Sequence, residues 1–330
     1  MWATYWPVVP YYLYLAARAR SFFFFTAANP NIETGGLMGE SKIKVLDLVD
    51  DIYKPKSLFI KANTSAEAVI ALIKKEELNY PIIIKPDVGE RGLLVQKITE
   101  ERELVTALKE NQIDFIIQPF ITLKEELAVM YYRYPNEERG KVISVTLKKF
   151  LSVTGDGVST MKELIWQNSR AILQWKPLQK KYGDRMTEIL PKGKTLELVS
   201  IGNHAKGTMF LNGNHLIDER MELVFDDMVK NMEGVYFGRF DLKCSSIEDL
   251  KNGKNIQVME FNGVGAEPAH IYDPNYPLWD TYKDLLNQWT IMFKVGTYVH
   301  KNLGVPYMTF KEARAWLKQV DAYKDGLNTE

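Results

Sequence analysis

Two stretches decide the reading: "GRFDLK" (residues 238–243) and "VMEFNG" (residues 258–263). Each alternates apolar and polar residues, the period of a half-buried strand whose side chains point to opposite faces in turn. Arg239 and Asp241 therefore share one face of the first strand, and Glu260 and Asn262 share one face of the second. If the two strands pair as neighbours, Asp241, Glu260 and Asn262 converge, with Arg239 beside them. Two carboxylates and an amide oxygen are hard ligands suited to Mg²⁺, which commonly keeps substrate phosphates in its shell. Arg239 could then pair with a phosphate or a developing oxyanion. The plainer alternative is a polar strand face turned to water. Met259 and Phe261 read as the core side that holds the polar residues rigid.

Upstream, "YPIIIKPDVGERGLLVQKI" (residues 80–98) puts Lys85 at the end of an apolar strand, before a loop containing Gly89 and Gly92. Glycines let backbone N–H groups approach phosphates, and the lysine adds positive charge. The same spacing also makes an ordinary hairpin, and it is neither a Walker loop nor a dinucleotide fingerprint. Around it the patterning alternates: a helix over "SKIKVLDLVDDI" (41–52) with Ser41 as its N-cap, strands at 57–61, 81–86, 93–98 and 115–120, and helices at 66–75 and 101–110. Two long strands follow, "EELAVMYYRYP" (125–135) and "GKVISVTLKKFLSV" (140–153), reading as an antiparallel pair. Thr160 and Glu163 in "GDGVSTMKELI" (155–165) are spaced as a capping box. A charged helical segment occupies about 163–185, further strands 196–201 and 207–211, and C-terminal helices begin near Leu278.

The order of Lys42, "PIIIKP" (81–86) with its glycine loop, "IIQPFITLKEELAV" (116–129), "GRFDLK" and "EFNG" (260–263) resembles the ATP-grasp superfamily, and most closely its D-alanine:D-alanine ligase-like carboxylate-amine ligases. The similarity runs from about Ser41 to about Pro274. It implies an α+β fold in which two α+β subdomains clasp ATP. Lys42 and Lys85 then match phosphate-contacting lysines, and Gly89 to Gly92 the lid loop over them. Gln118 to Ile121 matches the hinge that meets adenine through backbone groups, and Glu126 the acid for the ribose hydroxyls. Asp241, Glu260 and Asn262 match the ligands of Mg²⁺ (or Mn²⁺), and Arg239 the arginine that stabilises the tetrahedral intermediate and acyl phosphate. The implied chemistry is ATP-dependent amide formation from small-molecule carboxylate and amine substrates. Two rivals stand beside it: a kinase-like enzyme that phosphorylates a carboxylate on the same fold, and a nucleotide-binding, membrane-associated module without turnover. The boundaries implied are an aromatic N-terminal segment 1–40, a small lid subdomain 41–120, a large subdomain 121–275 with the metal site, and C-terminal helices 276–330. A typical ligase of this group has a whole α/β domain before the position of Lys42, whereas here about 40 residues precede it, so the usual substrate-binding domain is shortened or replaced and no D-alanine specificity is assigned.

Bulk properties set the remaining expectations. The 330 residues contain 42 Lys+Arg and 42 Asp+Glu, a balance that gives no field for nucleic acid, which is not expected as a partner. One cysteine, Cys244, excludes an intrachain disulfide and fits a reducing, cytoplasmic setting. The segment "WATYWPVVPYYLYLAARARSFFFF" (2–25) is too interrupted by Pro7, Pro10, Arg18 and Arg20 to span a bilayer. It reads either as a helix and strand packed on the body or as a peripheral membrane contact through residues 1–25, at the inner face of the membrane. Asn203, His204 and Lys206 could face the phosphates or the substrate, and Glu267 and His270 could line the acceptor pocket; a structural or loop role serves each equally in sequence terms.

Overall fold

The expected switches between strand and helix spacing produce two antiparallel sheets facing one cavity. A computed structural model describes residues 5–89, 92, 94–109, 113–199, 202 and 206–327, with backbone only over 324–327. Helix α1 (Val9–Ala19) and a 3₁₀ turn, Phe24–Ala28, come first, then the short helix α2 (Lys42–Asp47). Strands β1 (Leu58–Ile60), β2 (Ile82–Pro86), β3 (Gln96–Ile98) and β4 (Phe115–Pro119) form the first sheet in the order β1-β4-β2-β3. Helices α3 (Ala66–Lys75) and α4 (Glu101–Lys109) cover one face of it, burying Val69, Ile73 and Leu104 against Ile82 and Ile84.

Strands β5 (Glu125–Tyr132) and β6 (Lys141–Lys149) begin the second sheet. The chain then leaves it for a small unit in which β7 (Ser152–Thr154) pairs β8 (Thr195–Glu197), with helices α5 (Met161–Gln167) and α6 (Trp175–Tyr182) between them. Met161, Ile165, Ala171, Leu178 and Leu198 give this unit a core of its own. Strands β9 (Met209–Asn212), β10 (Phe237–Cys244) and β11 (Ile256–Asn262) complete the second sheet, in the order β11-β10-β5-β6-β9. Helices α7 (Glu219–Val229) and α8 (Ile247–Lys251) lie between them, and α9 (Leu278–Leu303) and α10 (Phe310–Leu327) close the chain. The apolar face of this sheet, with Leu127, Val129, Val145, Phe240, Leu242 and Val258, packs on Phe225 and Met228 of α7 and on Val45 and Leu46 of α2. Its opposite face carries the charges.

Local chemistry sets the helix starts. Ser41, Ser65, Asp218 and Ser246 accept from backbone N–H groups three residues on, and Thr160 with Glu163 forms the expected capping box. The strand expected at 196–201 is displaced to Thr195–Glu197, and the one expected at 207–211 to Met209–Asn212.

The aromatic N-terminus packs on the body, although its second half is a 3₁₀ turn and not a strand. Phe24 is fully buried, with its ring 5.7 Å from that of Phe293 and 6.2 Å from that of Trp289 on α9. Such aromatic burial contributes roughly 2–3 kcal/mol per ring. The close approach needs Gly296, where a Cβ would lie 2.4 Å from the Phe24 carbonyl oxygen. Trp6 stays 71% exposed and Tyr14 53%. Among the described residues, no helix is long and apolar enough to cross a membrane.

Candidate functional site

Strands β10 and β11 pair antiparallel, with Arg239 opposite Asn262 and Asp241 opposite Glu260. The four polar side chains read from the sequence therefore occupy two rungs of one face, with the buried Phe240–Phe261 rung between them. One feature departs from expectation: Leu242 is opposite Val258, so Met259 is the extra residue of a β-bulge. Phe261 is buried as expected, but the bulge turns Met259 toward the cavity, and the Met259 carbonyl oxygen accepts a hydrogen bond from Lys85 Nζ at 3.0 Å. The bulge thus ties the end of β2 in the first sheet to the acidic rung of the second.

The cavity between the sheets has a volume of about 840 Å³ and is lined by all ten residues singled out from the sequence: Lys42, Lys85, Gly89, Gly92, Gln118, Glu126, Arg239, Asp241, Glu260 and Asn262. Asp241 is the centre of its charge network. Its Oδ2 accepts from Arg239 Nη2 at 3.0 Å and from Asn262 Nδ2 at 2.9 Å, and its Oδ1 lies 3.2 Å from Lys148 Nζ. Burial works against the Asp241 charge, but Arg239 and Lys148 outweigh it and hold the carboxyl below the usual range. Glu260 pairs with Lys42 at 3.6 Å. Lys85 is buried, and the loss of solvation lowers its ammonium to about 8, with Glu260 opposing the drop.

Lys42 also donates to the Gly89 carbonyl, and Lys206 Nζ donates to that of Gly92 at 2.9 Å, so both loop glycines are held from below. Asn203 and His204, and Glu90 and Arg91 of the loop, lie outside the described residues. Gln118 donates its side-chain Nε2 to Ser57 Oγ at 2.8 Å, and residues 118–121 line the cavity. Glu126 sits 3.2 Å from Lys148 and 3.6 Å from Lys243. A Cβ on Gly202 would come within 1.9 Å of its carboxylate, so a larger residue there would displace the Glu126 side chain.

Lys148 and Lys243 were missed in the sequence. Lys243 was legible, because it continues the alternation Arg239–Asp241 by one more step. Lys148 was not: only the β5–β6 and β10–β5 registers together bring it between Glu126 and Asp241.

The far end of the cavity is built from distant segments. Residues 36–40 line it, and Val264 N and Gly265 N donate to the carbonyls of Gly35 and Gly36 at 3.1 and 2.8 Å. Gly263 explains itself here, since a Cβ would meet the Gly35 carbonyl oxygen at 2.3 Å. Asn29, fully buried, accepts from Tyr236 N and Phe237 N and donates to the carbonyls of Gly35 and Phe237, stitching the same loop to β10. Glu267 lines the cavity, but His270 does not. His270 meets Ser144 Oγ at 2.7 Å and Asp284 Oδ2 at 2.9 Å. These are the residue types of a nucleophilic triad, yet His270 is 0% and Ser144 1% exposed, so the chain of bonds anchors α9 to β6 and meets no substrate.

The donor set fits a hard divalent cation. Asp241 and Glu260 are cross-strand partners with the Asn262 amide beside them, and such an ion takes one or two carboxylates and completes its shell with phosphates and water. Among the described residues, no group of three or more His, Cys, Asp or Glu side chains forms a closed protein cage.

Parts of the chain are similar to known proteins. Residues 40–133 match the model of the RimK-like ATP-grasp domain. Over 212 residues, 59% of the chain, the sequence is 24% identical to the glutathione biosynthesis bifunctional protein GshAB of Streptococcus mutans, of which the match covers 28%. The chain thus spans little more than a quarter of that relative's length. Among solved structures, it overlaps the D-alanine–D-alanine ligase of Bacillus anthracis with a TM-score of 0.45, 12% identity, and 82% of this chain against 70% of that one. It overlaps the VanG D-Ala:D-Ser ligase of Enterococcus faecalis with a TM-score of 0.43, 16% identity, and 80% against 62%.

Proposed function

We propose that this ATP-grasp chain is an ATP- and Mg²⁺-dependent carboxylate-amine ligase working through an acyl phosphate. The observation that carries the reading is the Asp241–Glu260 rung, with Arg239 and Asn262 on the next rung of the same face, facing Lys42 and Lys85 across one cavity. In this reading Lys42 and Lys85 bind the phosphates, the loop holding Gly89 and Gly92 covers them, and the main chain at 118–121 receives adenine. A carboxylate offers about four acceptor positions, so Glu126 retains room for ribose hydroxyls beside Lys148 and Lys243. Asp241, Glu260 and Asn262 would hold the metal, which when bound neutralises charge on the transferring phosphoryl group.

The γ-phosphoryl group passes from ATP to a substrate carboxylate, leaving ADP and an acyl phosphate. An amine then attacks the acyl carbon, gives up a proton and expels inorganic phosphate. Arg239 stays charged throughout and neutralises the oxyanion of the tetrahedral intermediate. No nucleophilic side chain is needed, which suits a Cys244 that is buried and pushed up to about 12 by desolvation. In this reading the protein works in the cytoplasm, where ATP is supplied, and liposome flotation of the full chain against one lacking residues 1–25 tests a peripheral membrane contact.

The test of the activity is ATP turnover with a panel of carboxylates, each paired with a panel of primary amines and amino acids. Equal yields of ADP and amide support the ligase. A phosphorylated carboxylate that persists with every amine points to the kinase-like reading, and nucleotide binding without ADP points to a module without turnover.

A further inference from the structure

We propose that Glu267, with Tyr272 and Tyr5, seats a primary alkylammonium group of the amine substrate at the end of the cavity remote from residues 118–121; the inference rests on the ligase reading. Three observations carry it. First, Tyr5, Glu267 and Tyr272 all line the cavity. Second, among the described residues, three acids that line the cavity are matched by cations: Asp241 by Arg239 and Lys148, Glu260 by Lys42, and Glu126 by Lys148 and Lys243. The Glu267 carboxylate accepts instead from the Tyr272 hydroxyl, which lies 3.0 Å from the Tyr5 hydroxyl. Third, Arg239, the nearest cation named in the site, spends Nη1 on the main-chain oxygen of Glu267 at 3.2 Å and Nη2 on Asp241.

Neutral hydroxyls orient a carboxylate without cancelling its charge, and an ammonium group supplies the missing charge with three donors. Burial raises both tyrosine hydroxyls well above their usual range, with Glu267 adding to the effect, so they stay neutral donors. Tyrosine faces also favour a cation, and Leu37 and Ala266 offer apolar surface to an alkyl chain. A second carboxylate at this end would be repelled. Arg239 thereby links the two halves of the site: one arm meets Asp241 of the metal rung and the other the backbone that carries Glu267.

The test uses the full chain without nucleotide and three probes of equal length, n-butylamine, n-butanol and butyrate, in calorimetric titration at neutral pH. Butylammonium is expected to bind in preference to the other two, and Glu267→Gln should weaken it by about tenfold, the loss of one charge-assisted contact. Tyr5→Phe and Tyr272→Phe should each weaken it by a smaller factor, and they carry the test if Glu267→Gln does not fold. Affinity for a non-hydrolysable ATP analogue should change less than about twofold in Glu267→Gln, where a tenfold loss equals 1.4 kcal/mol. Preference for butyrate overturns the proposal. So does unchanged butylammonium affinity in variants with lowered melting temperature, which would make the trio a latch for the N-terminal helix. The titration contains no ATP, so it reads the ammonium seat even where the turnover assay fails, and the turnover assay can succeed where the seat fails.

Discussion

The two ends of the cavity are assembled by opposite means. The phosphate end draws its acids, amide and arginine from adjacent strands of one sheet, with Asp241 and Glu260 only 19 positions apart in the chain, and the β-ladder itself sets their spacing. The other end joins Tyr5 to Tyr272 across 267 positions and lays residues 35–36 against 263–265. The first end is rigid because its side chains share a ladder. The second depends on the N-terminal segment staying docked on α9. The difference predicts that substitutions at the phosphate end remove turnover without disturbing the fold, whereas those at the remote end disturb docking or substrate preference and spare nucleotide binding.

The sharpest break of that comparison is Glu260→Gln. It keeps the shape of the rung and removes one of its two carboxylates, so ATP turnover should fall by about 10³-fold or more, while the melting temperature stays within a few degrees of the parent. Turnover near the parent level would remove the metal role from this rung. Arg239→Ala should cost about 10²–10³-fold in product formation, the range for loss of one oxyanion donor. ATP affinity should move far less, and equal losses in both would place Arg239 in ground-state nucleotide binding. A smaller effect is expected at the remote end from Gly263→Ala. The new methyl would press on the Gly35 carbonyl oxygen from 2.3 Å, costing about 1–3 kcal/mol in urea unfolding. ATP-analogue affinity should survive that change, and its loss would show that the two ends are one cooperative unit.

How much of this was legible follows the same division. Strand alternation alone placed Arg239, Asp241, Glu260 and Asn262 on facing rungs, because period-2 geometry is local and the pairing is between neighbours. Ser41 and the Thr160–Glu163 box were legible for the same reason: caps act within three residues. Met259 was misread because a bulge adds one residue to a strand, and its one mark in the sequence is the adjacent apolar pair Val258–Met259, which breaks the alternation. Lys148 needed two registers, and Tyr5 needed an entire tertiary path. The stretch "NPNIETGGLMGE" (29–40) reads as no more than a loop rich in glycine and asparagine, yet Asn29 spends its amide on four backbone groups and residues 36–40 form a wall of the cavity. Nothing local distinguishes an asparagine that makes a turn from one that stitches two distant segments.

The smallest expected effect separates the ends by pH. Lys85 belongs wholly to the phosphate end, where burial lowers its ammonium to about 8. Below that value the group is charged and can meet phosphate; above it the charge is lost. The kcat/KM for ATP, which reports the free protein, should therefore fall as pH rises through about 8, by up to tenfold per unit, and Lys85→Arg should carry the plateau to higher pH. Stability should move the other way. The unfolded chain holds this proton more tightly than the fold does, so unfolding free energy gains from Lys85 between about 8 and the ordinary lysine value of 10.5. Opposite slopes of kcat/KM and of the urea midpoint over that window would tie both to one buried ammonium at the phosphate end. Parallel slopes would assign the pH response to another part of the molecule.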